Sequence, residues 1–422
     1  MKRTYEDLNS ADLSPEQKSV VEAVNAGMNV FFTGSAGTGK SYTLRRIITQ
    51  MQNKYDTKTV HVTASTGIAA TNIGGTTLHS YASIGLGNES VDVIMKKLNK
   101  YRSVADRWRA TRVLIVDEIS MLSTEFFIKL DTIAKRIRGN RSPFGGIQLI
   151  LSGDFLQLPA IDKKGGLLFQ CTTWKECVTR TIELKTVFRQ RDARFIALLQ
   201  DLRKGIVTDE TDAFLRSRIG RKKDDAGQVK PTKLYSHRVD VDQENALQLA
   251  KLTGEPKQYT AQDSGPQKEN AAKLFMAPTQ LTLKLHAQVI LISNLDPPNL
   301  VNGSRGVIIG FDVVTQDPIV QFNCGVTLCV GPHVWESKRG DEIVVRRHQI
   351  PLMLGWAMSI HKSQGMTLDL LETDISQCWD SGQAYVALSR ATSIEGLHLL
   401  GYKRECIKAD PAVLDYYASV SQ

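Results

Sequence analysis

Eight residues, GSAGTGKS from Gly34 to Ser41, hold the densest chemistry in the sequence. They fit the pattern G-x-x-x-x-G-K-[ST] in full, after a short apolar run and ahead of an amphipathic helical pattern. Glycines let successive backbone N–H groups wrap a chain of phosphates, and the start of a helix adds partial positive charge. Gly34, Ser35, Ala36, Gly37, Thr38, Gly39 and Tyr42 would line this cradle. Lys40 can reach the β- and γ-phosphates of a nucleoside triphosphate, and Ser41 can ligate Mg²⁺.

A phosphate cradle needs acids and a water-directing group to become a hydrolase. LIVDE, Leu114 to Glu118, supplies the acids at the end of a buried strand. Asp117 suits holding Mg²⁺ through water, and Glu118 suits polarising the attacking water. GGIQLILSGDFLQLPA, Gly145 to Ala160, is a second apolar strand that stops at Asp154 and Gln157. If it neighbours the cradle strand, Gln157 lies at the γ-phosphate edge, where an amide can donate to phosphate and accept from water. The other reading of Gln157 is a turn amide bonded to backbone.

The elements that must position these groups alternate. NVFFT (29–33), TVHVTAS (59–65), RVLIVDE (112–118) and IQLILSGD (147–154) read as strands without polar alternation, hence as a parallel sheet covered on both faces. In KSYTLRRIITQM, Leu44, Ile47, Ile48 and Met51 share one helical face. From about Thr179 to Leu252 the pattern is helical and basic, and GEPKQYTAQDSGPQKEN (254–270) reads as a linker or surface loop. QVILISN, GVIIGF, PIVQF and GVTLCVG are closely spaced short strands, the pattern of a small β-barrel. After Pro351 the α/β pattern returns. The sequence thus predicts two α/β lobes with an all-β unit inserted in the second. The limits read from it are an arm at 1–13, a first lobe at 14–178, a second lobe at 179–285 and 348–422, and the insert at 286–347.

Composition bounds the class. The chain has 422 residues, of which 42% are hydrophobic and 23% charged, enough for several cores. No stretch approaches the roughly 18 apolar residues of a membrane span. The start, MKRTYEDLNSADLSPEQ, lacks the apolar region of a secretory signal, so an intracellular place is expected. Six cysteines are scattered without CxxC pairing, which favours free thiols over a zinc site. The net charge is +9, and Lys96 to Arg112 carries seven basic residues against one acid. A polyanionic partner fits this excess, as does a solvated helix face.

Taken together, GSAGTGKS, VTASTGIAATNIGGTTLHSYASIGLG, VDEISM, PFGGIQLILSGDFLQLP, VFRQ, SIHKSQGMT and YVALSRAT resemble, in order, the motifs of superfamily-one helicases of subgroup B. FIKLDTIAKRIRGNRSPFGGIQLI resembles the signature region of the PIF-one family in particular, and the match runs from about Leu13 to Leu400. The resemblance implies two RecA-like P-loop lobes, with a Src-homology-three-like barrel in the second. It implies that Gln17 reads adenine, although Ser14-Pro15-Glu16-Gln17 is also a helix capping box. It further implies that Arg189 and Arg390 reach the γ-phosphate from the second lobe. Gln364 would couple nucleotide to DNA there, with His361, Lys362 and Ser363 on the strand. In the first lobe Thr66, Gly67, Asn72 and His79 would line the DNA path, His79 being equally suited to packing in a partly buried position. Phe155 and Trp356 are two aromatics of the kind that stack on bases, although core packing is the default for each.

The activity implied by the resemblance is ATP- and Mg²⁺-dependent movement, 5′-to-3′, of a single-copy motor on single-stranded DNA, with unwinding at single-strand/duplex junctions. G-quadruplexes, RNA–DNA hybrids and genome maintenance (replication, repair, recombination, telomeres) belong to the same implication. So does a nuclear or mitochondrial place, with a prokaryotic or viral setting left open. Two rival classes are a DNA-binding module that has lost catalysis and a nuclease–helicase subunit. The intact set of Lys40, Asp117, Glu118, Gln157, Arg189 and Arg390 argues against the first. The PFGGIQLI region argues against the second.

Overall fold

Strands such as Val30–Gly34 show no polar alternation because both of their faces are covered. In the computed structural model, which describes residues 13–85, 87–100, 102–160, 165–220, 231–296, 299–300, 302–339 and 342–420, the chain divides into two units. The first comprises Met1–Arg189 and Asp410–Gln422, the second Gln190–Ala409. Apart from Leu13, the expected arm at 1–13 lies outside the described residues.

The first unit is built on β1 (Val30–Gly34), β2 (Val60–Ala64), β3 (Thr76–Thr77), β4 (Val113–Asp117), β5 (Gln148–Ser152) and β6 (Arg180–Leu184). Their order is β3-β2-β4-β5-β1-β6, and every pairing is parallel. On one face Val30, Phe32, Ile115 and Ile150 pack against Leu44, Ile47 and Met51 of helix Lys40–Lys54 and against Val20 and Val24 of helix Pro15–Asn25. Leu114, Val116, Leu149 and Leu151 meet Phe127 and Leu130 of helix Thr124–Arg138 on the other. The helical face read from the sequence, Leu44 to Met51, is the buried one.

The signature segment is a clamp on the entry to β5. Asp131 Oδ1 accepts from Phe144 N at 2.8 Å, and Arg138 Nε donates to Gly145 O at 2.6 Å. Phe144 takes φ 47°, and a Cβ on Gly145 would stand 2.7 Å from Ala134 O. The loop is therefore held from helix Thr124–Arg138, and the strand it feeds starts from a fixed point.

Two expected limits are corrected. The first lobe does not stop at 178, because β6 is an edge strand of its sheet, in register with β1 from Val30↔Arg180 to Gly34↔Leu184. Nor does the second lobe keep 348–422 entire, since helix Pro411–Val420 belongs to the first unit.

The second unit opens its parallel sheet with β7 (Thr232–Tyr235). An antiparallel section follows: β8 (Lys257–Thr260), β9 (Gln262–Ser264), β10 (Gln280–Leu283), β11 (Gln288–Leu291), β12 (Arg305–Phe311), β13 (Pro318–Phe322), β14 (Thr327–Cys329), β15 (His333–Arg339), β16 (Glu342–Gln349) and β17 (Leu352–Leu354). Then β18 (Ala357–Ser359), β19 (Leu371–Asp374) and β20 (Leu397–Gly401) complete the parallel sheet in the order β18-β7-β19-β20. The inserted β unit is thus present, but wider than 286–347. The expected linker at 254–270 supplies β8, which pairs with β10, and β9, which pairs with β16. Both strands expose alternate residues, which is why their composition reads as a loop.

One partly buried ion pair ties this early strand to a late one. Arg347, 1% exposed, donates Nε and Nη2 to the two carboxylate oxygens of Asp263 at 2.7 Å each, and Nη1 to Ala277 O at 2.6 Å. Arg347→Ala leaves Asp263 without this partner, so a loss of about 3 kcal/mol is expected. Chemical denaturation should show it, and an unchanged unfolding midpoint would contradict the assignment.

Candidate active site

Parallel strands all end on the same side of a sheet, so the loops after β4, β5 and β1 converge, because those three strands are adjacent. Asp117 closes β4, Asp154 and Gln157 follow β5, and the glycine loop follows β1. The expected adjacency of the Gln157 strand and the cradle strand is present in the register Phe32↔Ser152.

The loop admits no side chain at its key points. Gly34 sits at φ 151°, and a Cβ there would meet Leu184 O at 2.6 Å. Gly39, at φ 80°, would push a Cβ to 2.7 Å from Gln17 Nε2. Gly39 also starts helix Lys40–Lys54, and no side chain caps that helix. Its first N–H groups are thus suited to an anion. Thr38 Oγ1 donates to Ser35 O at 2.9 Å, and Phe188 N donates to Gly37 O at 2.8 Å. Ser35 and Ala36 are buried. Lys40 Nζ lies along the loop, donating to Gly34 O at 2.7 Å and Ser35 O at 3.1 Å. Ser41 and Tyr42 occupy the exposed and half-buried sides of the first helical turn.

Gln17 makes the capping box. Ser14 N donates to its Oε1 at 3.0 Å, and its own N donates to Ser14 Oγ at 3.3 Å. Its Nε2 also donates to Thr38 O at 3.3 Å, so one buried amide joins helix Pro15–Asn25 to the glycine loop.

Asp117 is buried, and desolvation raises its pKa. The Glu118 N–H, donating at 2.9 Å, and the charges of Lys40 and Arg45 act the other way. The field of Lys40 at Asp117 ties the carboxylate to the helix start where Ser41 stands. Among the described residues no group of three or more His, Cys, Asp or Glu is placed to hold a metal alone. Mg²⁺ bound by one carboxylate, one hydroxyl and nucleotide phosphates needs no such group, and Asp117 and Ser41 fit that donor set. Glu118 takes φ 51°, ψ 44°, a conformation costing about 1 kcal/mol in a non-glycine residue. Ser65 Oγ and Met121 N hold it there by donating to its carbonyl at 2.8 and 3.1 Å.

Gln157 is 4% exposed, and its Nε2 donates to Asp154 Oδ2 at 3.2 Å. The turn is thus held by a side-chain carboxylate, which orients the amide and uses one of its two N–H groups. Asp154 Oδ1 accepts from Leu156 N at 3.1 Å and from Tyr417 OH at 3.2 Å. The motif reading noticed Asp154 but gave it no role, and it passed over Tyr417. A buried carboxylate three residues from the amide was a usable signal for Asp154. Nothing local marks Tyr417, 260 residues further along.

The second-unit candidates form their own group. Arg390 is buried, 1% exposed. Its Nε donates to Val386 O at 2.9 Å, and its Nη1 lies 3.5 and 3.4 Å from the carbonyls of Ser363 and Met366. It therefore grips the turn bearing His361, Lys362, Ser363 and Gln364. Gln190 supports it from the other side, donating to Ala391 O at 2.8 Å. Ser363 is fully buried and its hydroxyl donates to Ile360 O at 2.8 Å, so it supports the turn from inside. His361 has its pKa lowered by burial, against the charge of Asp380. Arg189 falls in the first unit, not the second, because the chain after β6 stays with that sheet.

The first-unit strand-path candidates are half-buried. Thr66 Oγ1 accepts from Ala69 N at 3.2 Å, starting helix Gly67–Asn72, and Asn72 O accepts from Arg45 Nη2 at 3.2 Å. His79 stacks on Phe126 at 4.1 Å with its pKa lowered by burial, which matches the packing alternative. Phe155 and Trp356 are core residues, 8% and 6% exposed, Phe155 within a cluster of Phe31, Phe169, Trp174 and Tyr416.

Comparison with known proteins agrees with this geometry. A model of the PIF1-like helicase family matches residues 12–213, and one of the DNA helicase Pif1 2B domain matches 270–311. The crystal structure of Pif1 helicase from Candida albicans is 42% identical and superposes with a TM-score of 0.83, covering 97% of this chain and 99% of that one. The chain belongs to the PIF1-like helicase family. The ATP-dependent DNA helicase PIF1 of Xenopus laevis is 45% identical over 96% of this chain, which spans 64% of that relative's length. Bacteroides Pif1 in complex with ADP-AlF3 and single-stranded DNA is 27% identical, with a TM-score of 0.70 over 97% of each chain. The model match at 270–311 begins before the expected limit of 286, in line with the wider β unit of this family member.

The buried Asp117 has a stability consequence with a definite sign. Its folded pKa lies above its unfolded one, so the folded state binds more protons between the two values. Stability therefore falls as pH rises through that window, and above it the full penalty stays. Asp117→Asn is expected to raise the melting temperature at neutral pH in metal-free buffer. A variant that melts lower would show that the carboxylate's partners outweigh its burial.

Proposed function

We propose that the chain is an ATP-driven motor that moves 5′-to-3′ on single-stranded DNA and separates duplex ahead of it. The observation that carries this reading is the convergence of the glycine loop, Asp117 and the Asp154-held Gln157 at the ends of three adjacent parallel strands. The name of the Xenopus relative and the ligands of the Bacteroides relative support ATP and DNA as its substrates.

In this reading the loop N–H groups and Lys40 bind the β- and γ-phosphates, and Gln17 contacts adenine. Asp117 and Ser41 would hold Mg²⁺, which supplies charge neutralisation when bound. Glu118 takes a proton from the attacking water, and Gln157 orients that water against the terminal phosphate. Arg189 and Arg390 neutralise charge developing on the transferred group. Loss of that group alters how Gln364 and its turn hold DNA, and movement requires that this grip differ between the two states. Thr66, Gly67, Asn72, His79, His361 and Lys362 make the sequence-independent strand contacts, the half-buried ones through backbone. Ser363 contributes by holding its turn. Junctions, G-quadruplexes and RNA–DNA hybrids are the structures acted on, by a single copy, within the nucleus or mitochondrion.

The test is unwinding of a duplex with a 5′ tail against one with a 3′ tail, with ATP and Mg²⁺. Unwinding only from the 5′ tail, abolished in Lys40→Ala, is expected. Tight DNA binding without unwinding of either substrate would favour a non-motor DNA-binding module instead.

A further inference from the structure

The hydroxyl of Tyr417 sits where three parts of the first unit meet. It lies 2.7 Å from Thr33 Oγ1, at the end of β1 just before the glycine loop. Phe155 N donates to it at 3.0 Å, and it donates to Asp154 Oδ1 at 3.2 Å. A phenol has one proton to give and two lone pairs to fill. With its proton on Asp154 and one lone pair taken by Phe155 N–H, the Thr33 hydroxyl must donate to the other. Thr33 and Asp154 are both fully buried and Tyr417 is 7% exposed, so water does not readily substitute for these bonds.

The consequence runs through Asp154. Its Oδ1 takes Tyr417 OH and Leu156 N, and its Oδ2 takes Gln157 Nε2. A carboxylate held at one oxygen presents the other at a fixed angle, and Gln157 is oriented by that second oxygen. We infer that Tyr417 is a positioning residue for ATP hydrolysis, fixing Gln157 through Asp154 and tying it to the strand that carries the phosphate loop. The inference rests on the proposed ATPase reading and adds to it a residue outside every motif. Tyr417 touches no phosphate, so it should govern turnover and leave nucleotide binding alone.

The experiment is DNA-stimulated ATP hydrolysis by wild type, Tyr417→Phe, Gln157→Ala and the double variant, with ADP titrated to count active sites. Tyr417→Phe keeps the ring and removes only the hydroxyl. A charge-assisted hydrogen bond of this kind corresponds to a loss of about tenfold in kcat. ADP affinity and KM for ATP should stay within about twofold of wild type. In the Gln157→Ala background, Tyr417→Phe should cost almost nothing further, because its effect passes through that amide. Tyr416→Phe, on the same helix, should stay within about twofold in kcat, since Tyr416 stacks on Phe169 and no bond joins it to Asp154. Equal losses in both tyrosine variants, or a tenfold loss that persists in the Gln157→Ala background, would reduce Tyr417 to a packing residue and overturn the proposal. An unaffected kcat would do the same. Wild type without ATP hydrolysis would instead defeat the ATPase reading itself.

Discussion

A chain of phosphates can be wrapped by main-chain N–H groups only where no side chain stands in the way. In this molecule that constraint is tightest at Gly34, whose missing Cβ leaves room for the carbonyl of Leu184. The strand β6 can pair along the whole of β1 because of it, so the loop is braced from the edge as well as from the centre of the sheet. The same crowding at Gly39 admits the amide of Gln17, which carries the first helix into contact with the loop.

Charge is handled by burial with local compensation. Asp117 and Asp154 are both shielded from water, yet their surroundings differ. Asp154 accepts from a main-chain N–H, a phenol and an amide, which hold it in place. Asp117 accepts from Glu118 N and feels the charges of Lys40 and Arg45.

Much of this was legible in the sequence, and the failures have physical reasons. The apolar strands and the Leu44-to-Met51 helix face were readable because burial on both sides forbids polar residues. The order of Asp117, Gln157 and the glycine loop was readable because each motif ends a strand. Lys257–Ser264 was misread because strands with one wet face and pairing partners about twenty or eighty residues away look locally like loops. The bonding of Arg390 was not readable, because the carbonyls that surround it come from Ser363 and Met366, which no helical periodicity reveals. The strand β6 was assigned to the wrong lobe because register, unlike strand character, is a property of two distant segments.

The helix Pro411–Val420 packs on the first unit although the whole second unit precedes it in the chain. During synthesis the glycine loop, Asp117 and Gln157 therefore emerge long before the hydroxyl that completes the Asp154 network. At ribosomal rates the interval is on the order of tens of seconds. In that time a buried carboxylate lacks one of its donors, and the first unit cannot reach its final packing. The order of translation thus leaves the Asp154 network without this donor until the second unit has been made.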